Sequence, residues 1–402
     1  MSEGMIDKVK AEPIIDPKRF EKAELSQAFL KNEIERCQRH TKKIIQRTPK
    51  QEVLFPSECP VNGMYPLRKN IGWTEGFWTG INWLLVEGTG QEMYQQIAQV
   101  ADQNFQERME GKIIVDHHDL GFLYSLSTVA EYKLRGTAEM REVSIEAADQ
   151  LLQRFWKKAG VIQAWGDPQD PQQQGRMIMD CCMNLPLLFW AHQETGEEKY
   201  KTVASTHLES AGNYLVREDG STFHTYYMDI TTGNPRFGST HQGYSDDSCW
   251  ARGQAWGIYG FAIGYRYLKE ERYYHLSKKL TNYLLNRLPE DLICYWDLVF
   301  EEGSSEERDT SSMAIAVCGI LELLRYPELL SEEERSHYQK VIYSVMHSLA
   351  KNYATNEEED GFLTESVYNK PKDNGVGVPC IWGDYFYLEA LIRLNQEWAP
   401  YW

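Results

Sequence analysis

Long apolar runs and a surplus of basic residues are both missing from this sequence. No uninterrupted apolar stretch reaches the roughly 20 residues that a membrane-spanning helix needs. The first 20 residues are polar and charged and contain no apolar signal core. With 42 basic against 59 acidic residues, the formal net charge is −17, which disfavours binding to nucleic acid or to anionic membranes. We therefore expect a cytoplasmic protein whose partner is neither a membrane nor a nucleic acid.

Cysteine patterns that bind metals or carry redox chemistry are also missing. None of the eight cysteines belongs to a C-x-x-C pair, and no spacing typical of a zinc site occurs. Cys181 and Cys182 are adjacent within an apolar run, where reduced and buried thiols are expected. The sequence therefore predicts neither a metal site nor another cofactor.

What the sequence does contain is a repeated pair of helices. Apolar helical segments alternate with amphipathic ones, giving twelve segments in six pairs. The break after each apolar segment is short, whereas the connection that leads to the next one is long and rich in Gly, Pro and Asn. The apolar segments begin at or near Trp73, His118, Asp180, Trp250, Asp309 and Trp382.

Helices that are apolar on all sides belong inside a fold, and amphipathic ones belong outside. The pattern thus predicts an all-α fold, an (α/α)6 barrel with six inner and six outer helices. We expect one domain, 18–402, after a loose lead-in, 1–17. An open helical solenoid is the alternative. A closed ring is favoured because the last helix is as apolar as the inner ones, whereas a solenoid needs a polar terminal cap.

Two carboxylates stand where apolar helices begin. Asp119 belongs to the stretch Val115–Phe122, which also contains two histidines, and Asp180 belongs to the stretch Arg176–Pro186. A carboxylate at the mouth of a buried helix suits general acid/base chemistry. The alternative is that both aspartates only cap their helices.

In a barrel of this kind, every inner helix begins at the end that carries the long loops. Aromatic rings that stack on sugars and polar groups that bind hydroxyls collect there, as in a carbohydrate site. The candidates are Trp73, His118, Asp119, Trp165, Asp180, His224, Gln242, Arg252, Trp256, Asp309 and Trp382. Structural roles compete for several of them: Trp256 suits a core position, and His224 lies in a short strand-like stretch. Asp309 and Trp382 suit structural and functional roles equally.

Four motifs together resemble those of one enzyme family. They are His118–Phe122, Asp180 followed by Asn184-Leu185-Pro186, Trp250–Trp256, and Trp382–Phe386. The combination is similar to the bacterial unsaturated glucuronyl hydrolases, glycoside hydrolase family 88. This resemblance implies an (α/α)6 barrel. It also implies a substrate, the unsaturated disaccharides and oligosaccharides that polysaccharide lyases release from glycosaminoglycans.

The resemblance also implies roles for individual residues. Asp180 corresponds to the catalytic acid/base and Asp119 to a second essential carboxylate, which sets the helix-cap alternative aside. Substrate contacts are implied for His118, Trp73, Trp165, His224, Gln242, Arg252 and Trp256. In the loop before the last inner helix, Ser366, Lys370 and Lys372 are candidate contacts for a sulfate group, the alternative being a solvated loop.

Three other functions remain open on the sequence. An unsaturated rhamnogalacturonyl hydrolase would share the fold and the chemistry but act on pectin fragments. A barrel resembling the N-acyl-sugar epimerases would use histidine pairs as its acid/base groups, whereas the strongest motifs here centre on aspartate. A glycan-binding module without activity would have no need of two carboxylates at one mouth.

Overall fold

The computed structural model describes residues 5–21 and 24–402. Fourteen α-helices occur in the described residues. Their bounds are α1 (Met5–Lys8), α2 (Gln27–Arg47), α3 (Glu75–Thr89), α4 (Glu92–Glu110), α5 (Leu120–Tyr124), α6 (Thr128–Arg135), α7 (Ala138–Leu152), α8 (Leu185–Thr195), α9 (Glu198–Tyr214), α10 (Ala251–Leu268), α11 (Glu271–Leu285), α12 (Thr310–Leu323), α13 (Glu332–Asn352) and α14 (Ile381–Asn395). Short 3-10 helices occupy Pro17–Phe20, Met179–Met183, Pro327–Leu329 and Lys370–Lys372.

The apolar helices close into a ring. Going round it, α3 contacts α5, α5 contacts α8, the 3-10 turn before α8 contacts α10, and α10, α12 and α14 follow in order. Helix α14 then packs against α3, so the ring has no open end. Each inner helix is flanked by an amphipathic partner: α4, α7, α9, α11, α13 and α2. The predicted (α/α)6 barrel is confirmed, and the open solenoid is wrong.

Two inner helices are less regular than the apolar pattern predicts. The second is divided into α5 and α6, where the Ser127 hydroxyl bonds back to the Leu123 carbonyl at 2.6 Å. The third begins as the 3-10 turn Met179–Met183 and restarts as α8. Pro186 lies in the first turn of α8 and has no N–H to donate to the preceding turn, so a continuous helix is not possible there.

Short antiparallel strands fill the long loops at one end of the barrel. They are β1 (Phe55–Pro56) with β2 (Leu67–Arg68), β3 (Phe155–Trp156) with β4 (Val161–Ile162), β5 (Arg176–Ile178) with β6 (Thr225–Met228) and β7 (Pro235–Ser239), and β8 (Ser366–Asn369) with β9 (Asn374–Val378). His224 directly precedes β6, in agreement with its strand-like sequence.

Aromatic rings fill the barrel axis below this end. Trp256 on α10 lies 5.0 Å from Phe122 on α5 and 5.4 Å from Phe386 on α14, between ring centroids. Trp402 stacks on the other side of Phe386 at 5.7 Å. The interior of the barrel is therefore solid beneath the loops.

The expected loose lead-in packs against the barrel over its described part. Ile6 and Val9 are buried, and the Glu12 carboxylate pairs with Arg287 on the loop after α11 at 3.0 Å. Apolar contacts with the outer helices hold this segment in place. The first four residues of the lead-in lie outside the described residues.

In the described part of the chain, no helix combines the length and the apolar character that crossing a membrane requires. All eight cysteines are free, and seven of them are buried.

Candidate active site

A cleft of about 290 Å³ opens at the loop end of the barrel. It is lined by Trp73, His118, Asp119, Trp165, Ile178, Asp180, His241, Gln242, Arg252, Tyr368, Asn369 and Lys372. Eight of these residues were predicted as site residues, seven as catalytic or substrate-binding and Lys372 as a sulfate contact, although they come from separate segments of the chain. A larger cavity of about 750 Å³ lies on the flank of the barrel between α2 and α4, and it contains none of the predicted site residues.

The two carboxylates are held close because the backbones that carry them touch. A Cβ atom at Gly121, two residues after Asp119, would lie 2.3 Å from Cα of Asn184. Asn184 in turn directs its side-chain amide to the carbonyl oxygen of Asp180 at 3.3 Å. Only glycine at position 121 allows this approach, so the two motifs fit each other.

Neither aspartate caps a helix. Asp119 stands at the N-cap position of α5, yet its side chain accepts no hydrogen bond from that helix. Asp180 lies within the 3-10 turn, and its Oδ1 atom is buried without a hydrogen-bond partner among the described residues. Asp309 shows the contrast, because its carboxylate caps α12 by accepting from the Ser311 amide at 3.1 Å. The helix-cap alternative is therefore wrong for Asp119 and Asp180.

Asp180 is built to hold a proton. Burial is the main effect and raises the pKa of its carboxyl to about 6, although His118 and Arg252 act in the opposite direction. The negative charge of Asp119 adds to the increase. A carboxylic acid with this pKa can donate a proton near neutral pH and accept one afterwards.

Asp119 is built to stay ionised. Burial alone would raise the pKa of its carboxyl, but the neighbouring histidines outweigh burial and hold that pKa well below its usual range. His118 Nε2 lies 3.3 Å from Oδ1. The site thus pairs a carboxyl group that holds its proton up to about pH 6 with a carboxylate that stays ionised, the arrangement expected when two acids have different tasks.

His117 acts on Asp119 mainly through the backbone. Its Nδ1 atom accepts from the Asp119 amide at 3.1 Å, and its Nε2 atom faces the Ile114 carbonyl at 3.1 Å. These two contacts place the ring proton on Nε2. The same Nδ1 atom also lies 3.5 Å from the Asp119 carboxylate, so both histidines adjoin this carboxyl group.

Two half-buried tryptophans form walls of the cleft. The Trp73 indole N–H donates to the Tyr368 hydroxyl at 3.2 Å. Trp165 packs its ring against the Arg176 guanidinium, 4.6 Å from the ring centroid. Both rings are fixed by these contacts, so they offer preorganised flat surfaces to a sugar.

Arg252 and Gln242 also line the cleft, and both hold strand β8. Each donates a side-chain hydrogen bond to the Tyr368 carbonyl at 2.8 Å. Arg252 is further placed by Asp309, whose carboxylate lies 3.8 Å from Nη1. The Nε atom of Arg252 is buried, and no residue in the described part of the chain accepts a hydrogen bond from it. Arg252 and Gln242 therefore hold the strand that forms one wall of the cleft, and they also line the cleft themselves.

His224 and Trp256 lie behind the cleft. The Nδ1 atom of His224 accepts from the backbone amides of His241 at 3.0 Å and Gln242 at 3.3 Å. Trp256 is fully buried in the aromatic core described above. Neither side chain lines the cleft, and His224 Nε2 and Trp256 Nε1 are buried without a hydrogen-bond partner among the described residues. Contact of these two residues with substrate stays a prediction.

Ser366 and Lys370 do not line the cleft either. The Ser366 hydroxyl bonds to that of Thr310 at 2.8 Å, and Lys370 forms an ion pair with Glu307. The 3-10 turn Lys370–Lys372 directs the other lysine, Lys372, into the cleft instead. Lys372 has no ion-pair partner among the residues that the structure describes.

Four lining residues were not predicted as site residues: Ile178, His241, Tyr368 and Asn369. Ile178 and His241 stand beside predicted positions, and Tyr368 and Asn369 lie within the loop named for sulfate. The sequence could have indicated these four residues only through their closeness to Asp180, Gln242 and Lys370. In the described part of the chain, no group of three or more His, Cys, Asp or Glu side chains is arranged to hold a metal ion.

The closed helical barrel, with an acid and a carboxylate in an aromatic cleft, defines a glycoside hydrolase. Residues 37–399 match the model of Glycosyl Hydrolase Family 88, and the chain belongs to that family. This membership excludes the epimerase-like barrel and the glycan-binding module without activity.

Similar proteins agree with this assignment over nearly the whole length. The unsaturated chondroitin disaccharide hydrolase of Streptococcus pneumoniae is 44% identical over 99% of this chain and 100% of its own. The unsaturated glucuronyl hydrolase of a Bacillus species is 41% identical over 87% of this chain and 93% of its own. The crystal structure of the unsaturated glucuronyl hydrolase from Streptococcus agalactiae superposes with a TM-score of 0.94 at 43% identity, covering 98% of this chain and 99% of that one.

Proposed function

We propose that this enzyme removes the terminal Δ4,5-unsaturated glucuronic acid from lyase-generated glycosaminoglycan oligosaccharides by hydrating the C4=C5 double bond. The observation that carries the proposal is the state of Asp180, a buried acid whose pKa is raised to about 6 beside a carboxylate that stays ionised. An enol ether reacts by protonation at carbon, so a single acid can start the reaction. Ordinary glycosidases instead need two carboxyl groups at the anomeric centre.

The first step moves a proton from the Asp180 carboxyl to C4 of the unsaturated uronate. Positive charge then develops on C5 and is shared with the ring oxygen. Asp180, now ionised, takes a proton from a water molecule whose oxygen bonds to C5. A hemiketal forms, and Asp180 is restored to its protonated state.

Ring opening completes the reaction. The hemiketal at C5 becomes a ketone, and the former ring oxygen becomes a hydroxyl on C1. C1 then carries both this hydroxyl and the aglycone oxygen, so it collapses to an aldehyde and releases the aglycone as an alcohol. No nucleophile attacks C1 at any stage.

We assign the other groups by position. The ionised Asp119 stabilises positive charge on C5 and keeps the Asp180 proton in place. Among the described residues, Arg252 Nε and His118 Nδ1 are buried nitrogens without a partner. The Arg252 N–H suits the carboxylate of the uronate, and His118 Nδ1 suits a substrate hydroxyl. Trp73 and Trp165 stack on the sugar rings. His224 supports the segment that presents His241 and Gln242.

The similar proteins favour glycosaminoglycan over pectin fragments as substrate. Three streptococcal relatives carry the name unsaturated chondroitin disaccharide hydrolase, at 43–44% identity. A variant of the Streptococcus agalactiae relative has been crystallised with dGlcA-GalNAc6S, a sulfated unsaturated disaccharide. The exposed Lys372 is the cation of this cleft best placed for a sulfate group.

Turnover of defined disaccharides tests the proposal. The protein is mixed with a Δ4,5-unsaturated chondroitin disaccharide, and loss of the conjugated ultraviolet band is followed. A rhamnogalacturonan-derived unsaturated disaccharide serves as the competing substrate. We expect a higher kcat/KM for the chondroitin substrate. Turnover of the pectin fragment alone would support the rhamnogalacturonyl alternative instead.

We also infer that the enzyme works in the cytoplasm on substrates that have entered the cell. Eight free cysteines suit a reducing compartment. The net charge of −17 disfavours nucleic acid and anionic membranes as partners. Cell fractionation followed by assay of the disaccharide activity tests the location.

A further inference from the structure

One face of the sheet formed by β5, β6 and β7 continues beyond the cleft. Arg176 pairs with Tyr227 on β6, and Tyr227 pairs with Phe237 on β7. Ile178 lines the cleft and lies two residues from Arg176 on the same strand. Because side chains two apart on a strand share a face, the row Arg176–Tyr227–Phe237 lies on the face that forms part of the cleft wall.

The contacts along this row are continuous from the cleft outwards. The Arg176 guanidinium lies 4.6 Å from the Trp165 ring and 5.6 Å from the Tyr227 ring. Tyr227 stacks on Phe237 with 4.8 Å between centroids and an angle of 23°. Phe237 ends the row with 48% of its surface exposed. An aromatic ring thus lies uncovered one step beyond the cleft.

Phe237 is accompanied by a positive charge. β7 is an edge strand of the sheet, and the guanidinium of the exposed Arg236 lies 5.3 Å from the centroid of the Phe237 ring. Arg236 belongs to none of the ion pairs formed by the described residues. Its charge is therefore available to an anion that lies against the ring.

We propose that Phe237 and Arg236 form an outer subsite that binds the third sugar of a longer unsaturated oligosaccharide. This inference rests on the proposed function. Two strand spacings separate β5 from β7, about 10 Å, which is about the extended length of two linked pyranose rings. In an alternating glycosaminoglycan the third sugar is again a uronate, so a ring face beside a guanidinium matches its apolar face and its carboxylate.

A second exposed aromatic near the cleft is less suited to this ligand. Tyr244 follows Gln242 by two residues, is 61% exposed and packs against Phe300 at 5.1 Å. Exposed carboxylates flank that pair: Asp246, Asp247, Glu301 and Glu302. These carboxylates would repel an anionic sugar. An anionic chain would therefore leave the cleft on the side of Arg236 and Phe237.

The test compares one disaccharide with the corresponding tetrasaccharide, both carrying the terminal double bond. Wild type, Phe237→Ala, Arg236→Gln and the matched control Tyr244→Ala are assayed for kcat and KM. We expect Phe237→Ala to raise KM for the tetrasaccharide about fivefold and to leave KM for the disaccharide within about twofold. Arg236→Gln should produce a similar selective increase that disappears at high salt, since the lost contact is an exposed charge.

Other outcomes overturn the subsite. Equal effects of Phe237→Ala on both substrates, or a larger selective effect of Tyr244→Ala, would show that the third sugar does not lie on Phe237. The proposed function is judged separately by the wild type. If wild type turns over neither substrate, the proposed function fails, and the subsite fails with it.

Discussion

The backbone amide of Phe122 donates a hydrogen bond to Oδ1 of Asn184 at 2.8 Å. Phe122 follows Asp119 by three residues, and Asn184 follows Asp180 by four, so this bond joins the segments that carry the two carboxylates. Both partners are buried, and the bond crosses between neighbouring inner helices of the barrel. The relative position of acid and carboxylate is therefore fixed by a side chain that does not itself line the cleft.

Asn184→Ala should lower both stability and kcat. The Phe122 amide would be left buried without its partner, at a cost of about 1–3 kcal/mol in the free energy of unfolding. Thermal unfolding and steady-state kinetics measure the two effects. Asn352→Ala on the outer helix α13 should change neither appreciably, because the Asn352 side chain bonds only to Ser348 among the described residues. Unchanged kcat in Asn184→Ala would show that the bond does not position the carboxylates.

Asp180→Asn should reduce kcat by more than about 10³-fold while the circular dichroism spectrum stays the same. An amide is nearly isosteric with the acid but has no proton to deliver to C4. Retention of more than about a tenth of wild-type activity would remove Asp180 from the mechanism.

The same substitution should stabilise the protein above pH 6. Burial raises the pKa of Asp180 from 3.8 to about 6, so the acid contributes stability that is fully present below pH 4 and is lost as the pH rises to about 6. The loss amounts to about 3 kcal/mol. The difference in Tm between Asp180→Asn and wild type should therefore grow from pH 4 to pH 6 and then level off. A difference independent of pH would contradict the raised pKa.

For wild type, kcat/KM should fall above about pH 6, because Asp180 must enter the reaction protonated. The decline should approach about tenfold per pH unit. Asp119→Asn should be severely impaired, and its remaining activity should decline at a lower pH, since ionised Asp119 helps to raise the pKa of Asp180. Coinciding profiles of Asp119→Asn and wild type would show that the two carboxyl groups do not interact.

Lys372→Ala should raise KM for a sulfated disaccharide about fivefold more than for its unsulfated counterpart. Lys370→Ala is the matched control two residues away, because Lys370 is paired with Glu307 outside the cleft. Kinetics on both substrates make the comparison. A larger selective effect in Lys370→Ala would assign the sulfate to the other side of the 3-10 turn.

Turnover in deuterated water should place deuterium at C4 of the opened uronate, since the Asp180 proton exchanges with solvent before it is delivered. Direct displacement at C1 would leave C4 unlabelled and the double bond intact. Mass spectrometry or NMR soon after turnover distinguishes the two. An early product with a surviving double bond and no C4 deuterium would contradict hydration.

The barrel and its two acids were predictable because their signals are local. Apolar periodicity marks each inner helix by itself, and the long connections before those helices place Asp119 and Asp180 at one end. The pairing of strands from different loops leaves no such local pattern in the sequence. The register that brings Ile178 and His241 to the cleft depends on strands from separate segments meeting in one sheet.

Whether a predicted side chain lines the cleft has local physical causes that a linear sequence does not reveal. Whether Lys370 or Lys372 faces the cleft depends on the direction of a single 3-10 turn. Trp256 is one helical turn beyond Arg252, and that turn takes it from the cleft into the aromatic core. The motifs identified both segments as part of the site, but they did not show which side chains in each segment reach the cleft.

The filled axis of the barrel also determines how the enzyme proceeds along a chain. With the Trp256 and Phe386 rings packed beneath the carboxylates, the cleft has one mouth, and an oligosaccharide cannot thread through it. In the proposed mechanism, the shortened oligosaccharide leaves by the mouth through which it entered, and its new end has no double bond for Asp180 to protonate. The proposed mechanism therefore predicts a single cut per chain, with one uronate released for each unsaturated end that a lyase has made.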